Sequence, residues 1–208
     1  MQDQTNNTNK HADNTRLKQI FDFILEIDKE KEIFRQTYLA DASRKENDAE
    51  HAWHMAIMTI LLSEYANKDI DVLKTVTMLL IHDLVEIDAG DTYAYDEEGK
   101  KTQALREKLA ADRIFALLPQ DLNVKFRSLF DEFEARETKE AKFARTMDNL
   151  QPMMLNAASD GKSWSEKGIF LSQILERNRY TAEGSKELWD FAYEEFLTPN
   201  IEKGRIKK

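Results

Sequence analysis

A chain of 208 residues is long enough to enclose one substantial hydrophobic core, so we expect a single domain with at most short tails. The formal charge of −9, without a basic stripe interleaved with aromatic residues, argues against binding to a nucleic-acid backbone. Because cysteine is absent, disulfides and thiolate metal sites are excluded, and any metal ion would need imidazole and oxygen ligands.

The two ends of the sequence predict tails. Residues 1–14 are rich in polar side chains with almost nothing to bury, which predicts a disordered segment. Neither a signal peptide nor a run of about 18 apolar residues that could span a bilayer is present. We therefore expect a soluble, cytoplasmic protein with no membrane partner, in which a helical domain over residues 15–198 precedes a basic tail over residues 199–208.

Helical periodicity dominates the first half of the domain. Apolar residues recur at three- and four-residue intervals over residues 17–33, and again over residues 49–65, where His51 falls on the apolar face. The polar stretch 41–48 between them predicts a connection. Residues 71–88 are apolar almost all round, which is typical of one helix buried in the middle of a bundle, and Gly90 suits the left-handed conformation that ends a helix.

The second half continues the same pattern. Further helices are predicted at about residues 101–118, 121–135, 138–158, 165–178 and 184–197. With only three prolines and six glycines and no convincing apolar–polar alternation, the turns of a β-rich fold are missing. The predicted fold is an all-α, single-domain helical bundle.

Two carboxylates on apolar helices need a compensating positive charge. Asp83 follows His82 in the most apolar segment, where burying a carboxylate costs on the order of several kcal/mol unless a cation compensates it. No Lys or Arg occurs from residue 79 to residue 99 to pair with it. Asp148 lies beside the apolar stripe of another predicted helix, where Arg145 or a helix cap is the alternative partner. A metal ion explains both carboxylates with one assumption.

The histidines strengthen this hypothesis. Taken separately, His51 or His82 is more simply a hydrogen-bonded core residue. Together with Asp83 and Asp148 they would form a nitrogen and oxygen site that suits Mn, Fe, Co, Ni, Zn or Mg and leaves coordination positions open. His54, three residues after His51, is more simply a packing residue or a neighbour of the ligands.

Two acidic residues near His82 are candidates for catalysis. Glu86 lies one helical turn after His82, so it could act as a general acid or base, or be an exposed residue at a helix end. Asp91 could hold a water molecule or a substrate hydroxyl, or could be a simple turn residue.

Three residues before or near the first histidine are candidates for substrate binding. Arg35 and Arg44 could clamp an anionic group, because the guanidinium fork matches phosphate, although most isolated arginines lie at the surface. Trp53 could stack on a base or a sugar, although a helical Trp more often packs in the core.

The order His51, His82-Asp83, Asp148 resembles the H…HD…D metal signature of the HD superfamily of phosphohydrolases. The sequence segments around these residues are also similar to those of the branch that contains bacterial 5′-deoxynucleotidases and their eukaryotic HD-domain relatives. They are Arg44 to Asn47, Glu50 to His54, Ile81 to Asp91 and Asp148 to Pro152. The resemblance extends over about residues 17–155.

This resemblance implies an HD-type bundle in which His51, His82, Asp83 and Asp148 hold one divalent metal ion between the central helices. It implies release of phosphate from deoxyribonucleoside 5′-monophosphates, with Glu86 as a catalytic residue and Asp91 near the reacting water. It also implies a homodimer and a phosphate contact from an upstream arginine, for which Arg35 is the nearest candidate. The tryptophan that follows this arginine in the bacterial enzymes has no counterpart, because Gln36 comes next.

Other functions stay open on the sequence. An HD phosphohydrolase or phosphodiesterase could act on a triphosphate, a cyclic nucleotide or an alarmone, because the ligands do not specify the leaving group. A non-catalytic helical protein could bind a metal or a nucleotide without turnover, and an acidic bundle with satisfied buried polar groups could bind neither.

Overall fold

The computed structural model describes the backbone of residues 3–208 and the side chains of residues 14–96 and 98–208. Helices joined by short connections make up most of the chain, which confirms the predicted all-α class. The elements in chain order are α1 (Asp3–Ile27), β1 (Phe34–Tyr38), β2 (Lys45–Asn47), α2 (Asp48–Leu62), α3 (Val72–Ile81), α4 (Glu86–Ala89), α5 (Glu97–Phe115), α6 (Gln120–Ala135), α7 (Lys139–Ala158), α8 (Lys162–Lys167), α9 (Leu171–Arg177), α10 (Thr181–Gly184), α11 (Lys186–Ala192) and α12 (Thr198–Glu202). Short 3₁₀ turns occupy Asp28–Glu32, Ser63–Tyr65 and Asp83–Val85, and a π-helical turn occupies Tyr193–Leu197.

Helix α7 lies at the centre of the bundle. It packs against α2 and α3 on one side and against α10 on another. The buried cluster around it includes Met78, Phe143 and Met147, all with 0% exposure. A second cluster, which α5 and α6 form with the turn after α3, contains Ala111 and Phe115, also at 0%. The apolar stripes predicted on these helices are therefore the surfaces that hold the fold together.

Side-chain caps fix where the two histidine-bearing helices begin. The Asn47 side chain accepts a hydrogen bond from the Glu50 amide at 2.9 Å, and the Asn47 amide donates to the Glu50 carboxylate at 3.1 Å. This reciprocal capping box starts α2 directly before His51. The Asp71 carboxylate accepts from the Lys74 amide at 3.0 Å and starts α3.

The polar stretch 41–48, which was predicted as a connection, contains strand β2 of a small sheet, and strand β1 lies before it. Strands β1 and β2 pair antiparallel, with Phe34 opposite Asn47 and Tyr38 opposite Lys45, through an irregular register. Five- and three-residue strands are too short to produce a clear period-two signal. The sheet matters because it carries Arg35 and Glu46 into the interior.

The termini differ from the predicted tails. The basic tail predicted over residues 199–208 is instead packed on the bundle, because the Leu171 amide donates to the Lys207 carbonyl at 2.7 Å and Ile206 is only 1% exposed. At the other end, α1 begins at Asp3, within the segment 1–14 for which a disordered tail was predicted. The side chains of residues 1–13 lie outside the described residues. Within the described part of the chain, no helix combines the length and the apolar character needed to cross a bilayer.

We expect the substitution Gly184→Ala to destabilise the fold. A Cβ atom at this position of α10 would overlap the Lys142 carbonyl and the Thr146 hydroxyl of α7, and backbone cannot move aside cheaply. The free energy of unfolding should fall by about 1–3 kcal/mol in urea denaturation. The exposed neighbour Glu183, changed to Ala, should cost less than about 1 kcal/mol. Equal costs for the two variants would show that α10 does not pack tightly.

Candidate metal centre

Two histidines and one aspartate converge in the interior. Ligand atoms of His51, His82 and Asp83 all lie within 4.8 Å of one another, and all three residues are buried. The closest pair is His82 Nε2 and Asp83 Oδ1, at 2.9 Å, while His51 Nε2 lies 4.0 Å from Asp83 Oδ2.

Helix α7 brings the fourth predicted ligand to the same point. Asp148 Oδ1 lies 3.3 Å from His51 Nε2 and 3.8 Å from His82 Nε2. The structure thus brings together the four residues predicted as metal ligands from three helical segments that are far apart in sequence.

The helix predicted over residues 71–88 is not continuous. Helix α3 ends at Ile81, the 3₁₀ turn Asp83–Val85 follows, and α4 starts at Glu86. His82 therefore sits at the end of α3, and its Nδ1 lies 2.9 Å from the Leu79 carbonyl oxygen. Because a carbonyl oxygen only accepts, Nδ1 carries the proton of this bond. This directs Nε2 toward the cluster, which is the arrangement of a metal-binding histidine.

Gln151 was missed as a site residue, and it orients His51. It is 0% exposed, and its Oε1 accepts from His51 Nδ1 at 2.8 Å, which leaves His51 Nε2 facing the cluster. Its Nε2 donates to Glu46 at 2.8 Å and lies 3.3 Å from His54 Nδ1. His54 is thus a neighbour of the ligands, as predicted. Burial, followed by the nearby charge of Arg35, lowers the pKa of His51 to about 4, so the ring is neutral and able to bind a cation.

Arg35 lies at the edge of the cluster, and Arg44 does not. Arg35 Nη1 donates to Asp83 at 2.9 Å and to Asp48 at 3.3 Å, and its side chain is only 11% exposed. Arg44 is exposed and pairs with Glu50 at 2.8 Å. The structure therefore does not bring Arg44 to the cluster, because the capping glutamate of α2 holds it at the surface.

Buried carboxylates outnumber the cations that neutralise them. Burial raises the pKa of Glu46 to about 7 and, with help from Asp83, that of Asp48 to about 8 and that of Glu86 to about 12. One oxygen of each, Glu46 Oε1, Asp48 Oδ2 and Glu86 Oε2, has no hydrogen-bond partner among the described residues.

The same excess of negative charge changes the pKa of His82. Although burial lowers its pKa, the carboxylates of Asp83 and Asp148 raise it to about 10. The cluster thus attracts positive charge at the point where the imidazole nitrogens and carboxylate oxygens meet. A divalent cation fits this donor set, which combines two nitrogens with carboxylate oxygens.

A cleft of about 710 Å³ opens from the cluster. Glu86 and Asp91, the two predicted catalytic residues, line it together with Arg35. Trp53 does not, because it is 63% exposed and stacks on His54 with ring centroids 6.0 Å apart. The structure therefore does not bring Trp53 together with the other candidate site residues. The aromatic residues of the cleft wall include Tyr93 and Tyr95, whose rings meet edge to face, and also Trp164 and Tyr180.

Comparison with known protein families decides the membership of the chain. A family model described as HD domain matches residues 27–189, which include all four predicted ligands. The chain belongs to the HD domain family. The resemblance read from the signature His51, His82-Asp83, Asp148 is therefore confirmed at the level of the family.

Solved structures share the fold of this HD domain. A crystal structure of a predicted metal-dependent phosphohydrolase from Magnetospirillum magnetotacticum is 42% identical, with a TM-score of 0.88 over 93% of this chain and 96% of that one. A conserved hypothetical protein from Pyrococcus furiosus is 25% identical, with a TM-score of 0.58 over 84% of this chain and 99% of that one.

Curated relatives of this HD domain carry the name 5′-deoxynucleotidase HDDC2. The human protein is 32% identical over 119 residues, which are 57% of this chain and 56% of that protein. The Xenopus laevis protein is 31% identical over 126 residues, which are 60% of this chain and 58% of that protein. The matches therefore span little more than half the length of these relatives.

Proposed function

We propose that this HD domain is a divalent-metal-dependent phosphohydrolase that releases phosphate from deoxyribonucleoside 5′-monophosphates. The observation that carries the proposal is the convergence of two histidines and two aspartates at the base of a cleft that also holds a buried arginine. The curated relatives named as 5′-deoxynucleotidases support the choice of substrate.

His51 Nε2, His82 Nε2, Asp83 and Asp148 would hold the metal ion. When bound, a divalent ion supplies a Lewis acid that polarises a phosphoryl oxygen. Mixed imidazole and carboxylate ligands suit Mn, Fe, Co, Ni, Zn and Mg, and the identity of the ion is a matter for metal analysis.

Arg35 would bind the phosphate of the substrate. Its Nη1 is occupied by Asp83 and Asp48, whereas its Nη2 donates to no acceptor among the described residues. These two carboxylates, with Glu46 Oε1 at 3.6 Å from Nε, thus hold the guanidinium in place and leave Nη2 for a phosphate oxygen.

Glu86 would transfer a proton, and Asp91 would orient the attacking water. Glu86 is buried, its pKa is raised, and its Oε2 lacks a partner among the described residues, so it can carry a proton at that oxygen and give it to the leaving 5′ oxygen. Asp91 lines the same cleft, and burial raises its pKa as well. We assign to its carboxylate the orientation of the attacking water.

A panel of phosphate esters tests this function. Phosphate release should be measured from deoxynucleoside mono-, di- and triphosphates and cyclic nucleotides, with metal ions added singly. Monophosphate turnover in at least one metal is expected. Turnover confined to triphosphates or cyclic nucleotides would favour another HD activity. Thermal destabilisation by a chelator without any turnover would indicate a binding protein.

The substitution Gln151→Leu should weaken metal binding. Losing the acceptor for His51 Nδ1 frees the ring to rotate, and losses of such supporting bonds cost about 10- to 100-fold in metal affinity. Competition with a chromophoric chelator measures the effect. His54→Phe removes only the contact on the other side of Gln151 and should change the affinity much less. Equal effects of the two variants would show that Gln151 does not orient His51.

We also propose a homodimer in the cytoplasm. Helices α2 and α3 expose a row of apolar side chains, which form one candidate contact surface: Trp53, Ile57, Ile60, Leu61, Leu73 and Leu80. Light scattering at several concentrations tests the oligomeric state.

A further inference from the structure

One face of helix α7 lines the cleft from the metal centre outward. The residues of this face recur at intervals of three and four and are Arg145, Asp148, Pro152, Met153 and Asn156. Asn156 follows Asp148 by eight residues, which corresponds to about 12 Å along the helix axis. Asn156 is therefore about as far from the proposed metal centre as the base of a nucleoside 5′-monophosphate is from its phosphate.

The cleft changes from charged to apolar along this face. At one end, Arg145 Nη1 lies 3.2 Å from Asp148 Oδ2. At the other end, the Gly161 amide donates to the Asn156 carbonyl at 2.7 Å, so helix α8 begins beside Asn156. The side chains with which α7 and α8 line this second end are uncharged: Pro152, Met153, Asn156, Ser163 and Trp164.

Two tyrosines from the loop before α5 lie against the uncharged end. Tyr95 packs on the buried cluster that contains Trp164. Burial raises the pKa of Tyr93 to about 12, and the neighbouring Ser163 side chain opposes this rise. The charge of Arg177 acts on both tyrosines, so a cation of α9 borders the aromatic wall. This end of the cleft thus offers aromatic and apolar surface rather than a second set of charges.

Asn156 has one hydrogen-bonding atom that the fold leaves unused. The residue is only 7% exposed, and its Nδ2 donates to the Pro152 carbonyl at 2.7 Å. Its Oδ1 is buried and accepts no hydrogen bond from the described residues. The bond to Pro152 accounts for the amide nitrogen but not for the oxygen, and a buried acceptor without a donor costs free energy. An N–H group of a ligand in the cleft would satisfy this oxygen.

We propose that the uncharged end of the cleft is a nucleobase subsite, in which Asn156 Oδ1 accepts a hydrogen bond from an N–H group of the base. The inference rests on the proposed function, because a 5′-phosphate at the metal centre directs the base along α7. Enzymes that take up a single base place it between aromatic or apolar side chains and bond its Watson–Crick edge. Each of the four bases has an N–H donor on that edge, so the subsite recognises the presence of a base more strongly than its identity.

Removal of the base tests the subsite as a whole. The two substrates are deoxyadenosine 5′-monophosphate (dAMP) and 2-deoxyribose 5-phosphate, which keeps the phosphate and the sugar but has no base. We expect kcat/KM of the metal-loaded protein to be roughly tenfold or more higher for dAMP, because stacking on aromatic side chains stabilises a bound base. Equal values for the two substrates would overturn the subsite.

Removal of one amino group tests Asn156. The comparison substrate is the dAMP analogue in which hydrogen replaces the 6-amino group, so that its Watson–Crick edge has no N–H donor. We expect the KM of the parent protein to favour dAMP by about three- to tenfold, which is the usual effect of one hydrogen bond. Asn156→Leu should lose this preference, while its kcat and its hydrolysis of 2-deoxyribose 5-phosphate stay unchanged.

Two further variants make this result specific. Asn156→Asp keeps an acceptor oxygen and should retain the preference for dAMP, although it loses the bond to Pro152 as Asn156→Leu does. Gln173→Leu is the matched control, since Gln173 lines the same cleft but its Oε1 already accepts from the Phe170 amide at 2.9 Å. Thermal unfolding confirms that each variant is folded. A preference that is absent in the parent protein, or that Asn156→Leu retains, would refute the role of Asn156.

Calorimetric titration separates failure of the subsite from failure of the proposed function. The compounds dAMP and 2-deoxyribose 5-phosphate are titrated into metal-loaded Glu86→Gln protein, with and without Asn156→Leu. Binding that depends on the base and on Asn156, without hydrolysis of either compound by the unmodified protein, would refute the nucleotidase function and leave the subsite standing. Hydrolysis of both compounds with equal kcat/KM would support a phosphohydrolase and remove the subsite.

Discussion

The variant Asp83→Asn should lose both its bound metal and its phosphate release, with a rate more than about a thousandfold lower, because the ion supplies much of the acceleration in a metal-dependent hydrolase. Asp83 has one oxygen 2.9 Å from His82 Nε2 and the other 2.9 Å from Arg35 Nη1. Asparagine keeps the shape but removes the negative charge that both neighbours need. Metal analysis of purified protein and phosphate release from dAMP measure the two losses.

A nearby aspartate provides the control for this experiment. Asp88 is exposed on α4 and pairs with Arg113, so Asp88→Asn should keep both the metal and the rate. If Asp83→Asn retained the ion and full turnover, the metal centre would have to lie elsewhere. Circular dichroism separates loss of the ion from loss of the fold, since Arg35 keeps Asp48 as a partner in the variant.

The variant Glu86→Gln should keep the metal and lose about 10²- to 10⁴-fold in turnover, which is the usual contribution of a proton-transfer residue. Glu86 is buried beside the cleft, and its Oε2 has no partner among the described residues. Glutamine occupies the same space but cannot give up or take a proton. The rate with dAMP at saturating substrate and the metal content of the same sample are the two readouts.

Glu107→Gln is the matched control for Glu86. Glu107 lines the same cleft, and burial also raises its pKa, but its carboxylate accepts a hydrogen bond from Gln103 at 2.7 Å. Its replacement should leave turnover within a few-fold. Loss of metal in Glu86→Gln would make Glu86 a ligand, and an unchanged rate would remove it from the mechanism.

A buried site for a cation could be predicted because the cost of burying a charge is visible in the sequence, whereas the choice of the four candidate ligands rested on the resemblance to the HD superfamily. His82, Asp83 and Asp148 interrupt apolar helical patterns, and such interruptions need a partner wherever the helices pack. His51 follows the same logic on α2. Periodicity alone placed these residues on inward faces, and the fold then brought those faces together.

The supporting residues were harder to find. Glu46 and Asp48 belong to a short polar stretch that looks solvated, and only the pairing of β1 with β2 turns it inward. Gln151 carries no charge, so its place on an apolar helix did not require a compensating ion and did not mark it as a site residue. Its spacing contained the signal, since Gln151 lies three residues after Asp148 and therefore on the same helical face.

Two residues predicted to bind substrate lie away from the cleft because of the direction of their side chains. Trp53 is two residues after His51, about 200° around the helix, so the two side chains point to nearly opposite sides. Arg44 is close to His51 in sequence, but the glutamate that caps α2 binds it first.

The docking of residues 205–207 has a consequence for proteolysis of the protein near this segment. These residues hold the segment that leads into α9, through the bonds between Lys207 and residues Ile169 and Leu171. Helix α9 ends in Arg177, on the wall of the cleft. Proteolytic trimming there would remove Ile206, which belongs to the central core cluster, and would loosen one wall of the cleft at the same time.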